Sequence, residues 1–94
     1  MSAKGVHPET VAAAVRLLLD LMPSDDQARI VAMSKEVLTE LHLGLGMWVR
    51  NNLGLWSGNG ALLQATDRAN ADDASMVIVE ALWQHLREGL PKLH

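Results

Sequence analysis

Residues 73–88, DASMVIVEALWQHLRE, are apolar around most of a helical circumference. At about 100° per residue, the polar positions Asp73, Glu80, Gln84, Arg87 and Glu88 form only a narrow stripe. A helix with so little polar surface is stable only when other elements surround it. The chain is therefore expected to fold around this C-terminal segment, a helix over Asp73–Glu88 that Gly89 and Pro91 bring to an end. Asp72 and Ser75 are the residues expected to secure its N-terminus.

The rest of the chain divides at its breakers into further helices. The spacing predicts a first helix over Pro8–Met22. Val11, Ala14, Val15, Leu18 and Met22 share one face, and Glu9, Ala13, Arg16 and Asp20 the other. Pro23 ends it. A second helix is predicted over Asp25–Met33, with Ser24 and Gln27 in capping-box spacing. A third is predicted over Lys35–Asn52, with Ser34 as its cap and Val37, Leu38, Leu41, Leu45, Trp48 and Val49 facing inward. Gly44 and Gly46 interrupt it and mark a bend or a close approach by a neighbour. Leu53–Gly60 reads as a loop, Ala61–Thr66 as a short helix capped by Asn59, and Asp67–Ala71 as a linker. No segment alternates with the period of a strand. The expectation is an all-α domain over residues 1–94, ordered over about 8–89, in which four to five helices form a compact bundle around a central C-terminal helix.

Composition removes several functions. The 94 residues contain no cysteine, so disulfides, thiolate nucleophiles and cysteine-based zinc sites are excluded. The net charge of −3 gives no attraction to nucleic acid or to an anionic membrane. Within SDDQARIVAMSKEVLTELHLG a helix–turn–helix reading is possible, but the second helix opens with Lys35 and Glu36 and lacks a basic face. The run VAAAVRLLLDLM is broken by Arg16 and Asp20 and is too short to span a bilayer. A soluble, cytoplasmic protein is expected.

Some residues do not fit their predicted positions. Asn52 falls within the apolar sector of the third helix, where a buried amide needs partners; loop backbone around residues 54–59 is the favoured one, a ligand the alternative. His85 falls on the buried side of the last helix, and only His42 could join it, too few ligands for zinc. Leu43 and Met47 make an apolar pair on the polar side of the third helix, either covered by another element or forming a contact surface. Arg50 and Asn51 end the third helix where Asp72 and Asp73 begin the last, and an Arg–Asp bridge could tie them together. With Asn59, and with Trp56 as a floor, the same residues could instead line a small polar-ligand pocket. Trp48, Trp56 and Trp83 are expected to form one core cluster.

LHLGLGMWVRNNLGLWSGNGALL (41–63) and ADDASMVIVEALWQHL (71–86) together carry a pattern. It reads LH-x-GLG-x-W-I/V-RN-x-x-GLW-x-GN-x-x-LL, followed by DDAS-x-x-I-x-x-x-LW-x-x-L. In this the chain resembles a family of small bacterial proteins classified only as a domain of unknown function. The resemblance spans most of residues 8–88 and makes Arg50, Asn51, Trp56, Asn59, Asp72, Asp73 and Ser75 motif positions. It implies no activity, cofactor or catalytic residue.

Two functional readings follow. The favoured one is a non-catalytic protein-interaction module, a homo-oligomer or the partner of another protein, with Leu43 and Met47 at its interface and no cofactor or metal. The alternative is a small polar-ligand-binding or enzymatic domain at the 46–60 loop, using Arg50, Asn51, Asn59, Asp72 and Asp73.

Overall fold

The structure, a computed structural model, describes residues 8–42, 44–55 and 59–88. The described residues form α-helices, one 3-10 turn and connecting turns, with no strand among them. In chain order the helices are α1 (Val11–Leu21), α2 (Ser24–Val31), α3 (Lys35–Leu38), α4 (Leu45–Asn52), α5 (Gly60–Ala65) and α6 (Ala71–Glu88). The 3-10 turn, Thr39–His42, lies between α3 and α4.

Helix α6 is the hub. It touches α1, α2, α3, the 3-10 turn and α4. Ala71, Ala74, Ser75, Ile78, Val79 and Leu82 are buried along it, spaced as one face of a helix requires. Ala14, Val15 and Leu18 of α1, Ile30 of α2, Leu38 of α3, Val49 of α4 and Leu62 of α5 complete the core with Leu53 and Leu55.

The helix ends differ from the sequence expectations in ways that local chemistry explains. Helix α1 starts at Val11, because the Thr10 hydroxyl accepts from the Ala13 N–H at 3.0 Å. Pro8 lies outside the helix. Ser24 and Gln27 do not form a capping box: Pro23 is the N-cap of α2 and no side chain caps it. The Gln27 amide instead donates backwards to the carbonyls of Leu19 and Met22, at 3.1 and 2.9 Å. It thereby satisfies acceptors that the end of α1 leaves open. Helix α6 begins two residues earlier than expected, and its cap is Asn70 rather than Asp72. The Asp73 N–H donates to Asn70 Oδ1 at 2.8 Å, and Asn70 Nδ2 donates back to Asp73 Oδ2 at 3.3 Å.

The largest departure is the predicted third helix, which is three elements. One turn of α3 tightens into the 3-10 turn, helped by the Thr39 hydroxyl, which donates to the Glu36 carbonyl at 2.8 Å. Gly44 then takes φ −94° and ψ −98°, outside the helical and extended regions. The break resets the phase of α4, so its inward positions are Gly46, Val49 and Arg50. Asn52 is consequently exposed, and its amide donates to the Trp48 carbonyl one turn back at 2.9 Å. The stop after α4 matches expectation: Gly54, just past the helix, has φ 77°.

His85 is likewise exposed rather than buried. It lies in the last turns of α6, where the α1–α6 contact opens into a groove that it lines with Val11 and Val15. Leu43, Trp56, Gly89 and Pro91 lie outside the described residues.

Candidate functional site

Helix α4 runs antiparallel to α6, with Gly46 beside Met76 and Arg50 beside Asp72 and Ser75. Gly46 makes this approach possible. A Cβ there would lie 3.2 Å from the Leu41 carbonyl oxygen and 3.3 Å from the Arg50 guanidinium. Arg50 fills the space so created and is only 3% exposed. Its NH1 donates to Ser75 Oγ at 3.0 Å, and Nε lies 3.3 Å from Asp72 Oδ1. Ser75 Oγ in turn donates to the Asp72 carbonyl at 2.8 Å. The expected Arg–Asp bridge therefore exists, and Ser75 extends it. A buried guanidinium requires such partners, since an isolated charge in the core is strongly destabilising.

The other residues considered for a polar site lie in separate settings. Asn59 is buried, and its amide donates to the carbonyls of Leu53 at 2.7 Å and Pro8 at 2.9 Å. Its Oδ1 accepts from the Leu62 N–H at 3.2 Å, the cap expected for α5. One amide thus joins the end of α4, the approach to α1 and the start of α5. Asn52, expected to bond loop backbone around residues 54–59, bonds the Trp48 carbonyl instead. Asp73 is exposed and engaged in the Asn70 cap, and Asn51 is exposed on α4. Arg50, Asp72 and Ser75 converge; the cap contacts of Asp73 and the carbonyl clamp of Asn59 serve other junctions.

The outer side of α4 has the opposite character. Met47 is 41% exposed and Trp48 38%. Trp48 and Leu45 form one wall of a groove of about 390 Å³ whose other wall is Leu21 and Met22, with buried Leu18 at its base. Leu21 is 58% exposed, the most of the large apolar residues described. Among the described residues, Asp26 is the one ionisable side chain lining this groove. Trp48, expected in a core cluster with Trp56 and Trp83, is exposed at this groove, and Trp56 lies outside the described residues. Trp83 lies at the other end of α2, where its Nε1 donates to the Met33 carbonyl at 2.8 Å. Arg87 stacks 4.9 Å from the centre of the Trp83 ring and donates to the Val31 carbonyl at 3.2 Å. The helical spacing of the sequence places Trp48 inward and so hides the groove. The signal that could have found it is Pro23, which forces a corner directly after Leu21 and Met22.

A match to the family described as Domain of unknown function (DUF6794) spans residues 7–86. The chain belongs to that family. The match runs from just before α1 nearly to the end of α6, and so covers the polar junction, the Asn59 clamp and the groove alike. No curated protein and no solved structure matched. Among the described residues no helix is long and apolar enough to cross a membrane, and no group of three or more His, Asp or Glu is placed to hold a metal ion.

Proposed function

We propose that the chain is a non-catalytic protein-interaction module and that the groove between the α1–α2 corner and α4 is its contact face. One observation carries the reading: Leu21 and Trp48, both exposed, line one apolar groove, and Met47 is exposed next to Trp48 on α4. Isolated exposed apolar residues are ordinary, but a contiguous set marks a surface that another molecule covers. Tryptophan and methionine are also enriched where proteins meet. Leu43 was paired with Met47 in the sequence reading and lies outside the described residues; Leu21 and Trp48 take its place in the proposed surface.

A polar-ligand site using Arg50, Asn51, Asn59, Asp72 and Asp73 has less to recommend it. Arg50 offers an external anion almost no open surface, and both amide hydrogens of Asn59 serve backbone carbonyls. The test is site-specific photo-crosslinking in the native host. A photoreactive amino acid at Met47 is expected to give a few discrete protein adducts, and the same substitution at Ala13, exposed on α1, to give none. Indistinguishable adducts from the two positions, or none from either, would overturn the reading.

A further inference from the structure

The contact face has a charge as well as a shape, and this inference, which rests on the interaction reading, concerns what the charge selects. Asp26 lines the groove, and Asp25 precedes it in the exposed first turn of α2. The helix terminus contributes about half a positive charge, so two carboxylates in that turn leave it net negative. Arg29, one turn on, holds Asp26 only loosely: their closest atoms are 3.9 Å apart and both side chains are at least half exposed.

A second copy of the chain would complement this rim poorly. A two-fold interface sets the same patch against itself, so the Asp25 and Asp26 of both copies enter it and Arg29 offsets part of their charge. A cationic partner meets them favourably. The trough is walled by Leu45 and Trp48 on one side and Leu21 and Met22 on the other, the form that accepts the apolar stripe of a helix.

We propose that the groove receives an amphipathic helix of a partner protein, which lays its apolar stripe between Leu21 and Trp48 and sets a lysine or arginine over Asp26. Met47, beside Trp48, meets the outer edge of the same helix. The acidic rim decides which helices bind, while the apolar walls supply most of the affinity.

Two peptides of about 18 residues, five turns of helix, test this against the whole chain. Both carry the same leucine stripe; one is flanked by lysines and the other by glutamates. Binding is followed by calorimetry and by the NMR signal of the Trp48 indole N–H. The lysine peptide is expected to shift that signal and to bind about three- to ten-fold more tightly at low salt, the effect of one or two exposed ion pairs. In the D25N/D26N double variant the preference is expected to vanish, and in Val37→Glu, altered at an exposed apolar residue of α3, to persist. Equal binding of the two peptides, a preference that survives D25N/D26N, or no shift at Trp48 would overturn the inference. So would sedimentation of the chain alone as a dimer that Leu21→Glu dissociates. That last result would leave the interaction reading standing with a second copy as the partner, whereas loss of the Met47 adducts would remove the reading itself.

Discussion

The two faces of α4 are reversed from what a small helical protein ordinarily displays. Its inner face buries a guanidinium, and its outer face leaves a tryptophan and a methionine partly exposed. The inner face is closed, with Arg50 held against Ser75 and Asp72 in the gap that Gly46 leaves. The outer face is open, with Trp48 and Leu21 flanking a trough. The contrast separates two kinds of motif residue. Polar residues of the types used in chemistry serve junctions between helices, while apolar residues of the types used in cores stand at the surface. Burial of a charge is tolerated where its partners are built in, and large apolar groups left exposed together mark a surface that another molecule can cover.

The largest expected effect lies on the closed face. Arg50→Ala should destabilise the chain by about 3 kcal/mol, because it empties a packed site and removes the Ser75 and Asp72 contacts together. Arg50→Met fills most of that volume. Asp72 is half exposed and can rehydrate, so this variant is expected to stay within about 1 kcal/mol of the parent. Urea unfolding measures both. The comparison breaks if Arg50→Met folds normally yet abolishes the Met47 adducts, since the inner face would then take part in recognition. Asn59→Ala comes next, at about 2 kcal/mol, through loss of a helix cap and of its bonds to the Pro8 and Leu53 carbonyls. Hydrogen exchange should show the loss first at the Leu62 amide, which donates to Asn59. Uniform loss across α6 would instead show that Asn59 holds the whole bundle.

What could be read from the sequence was what depends on near neighbours or on an unmistakable pattern. The hub role of α6 follows from its apolar circumference, and Ile78 and Leu82 are fully buried there. The Arg50–Asp72 bridge and the Asn59 cap follow from residue type at a helix end. The rest depended on phase and on distant partners. The glycines mark the break at Gly44 and the close approach at Gly46, but the apolar spacing runs on through residues 35–52 and does not show how far the break turns the helix that follows. That single break moves Asn52 and Trp48 outward. Gln27 reaches back to the end of α1, and Trp83 finds the Met33 carbonyl 50 residues away. The Met33 partner lies far outside any window of local sequence, and the Gln27 contacts, though only five and eight residues back, depend on the corner between α1 and α2. His85 failed for a related reason: a helix face is buried only as far as its neighbours extend.

The smallest expected effect on stability is also the one that tests the open face most sharply. Leu21 is the last residue of α1 and 58% exposed. Leu21→Lys removes little buried surface and places a cation beside the negative end of the helix, a favourable position. Stability should therefore change by no more than about 0.5 kcal/mol in either direction. Binding should behave quite differently. The new ammonium would stand at the wall of the trough, repel a lysine-flanked helix and offer a hydrophilic head where an apolar side chain should pack. Affinity for the leucine–lysine peptide is expected to fall by about ten-fold or more, with the Trp48 indole signal no longer shifted. A variant that folds like the parent and still binds like it would show that Leu21 is exposed for no reason connected with recognition, and the contrast between the two faces of α4 would then reduce to packing alone.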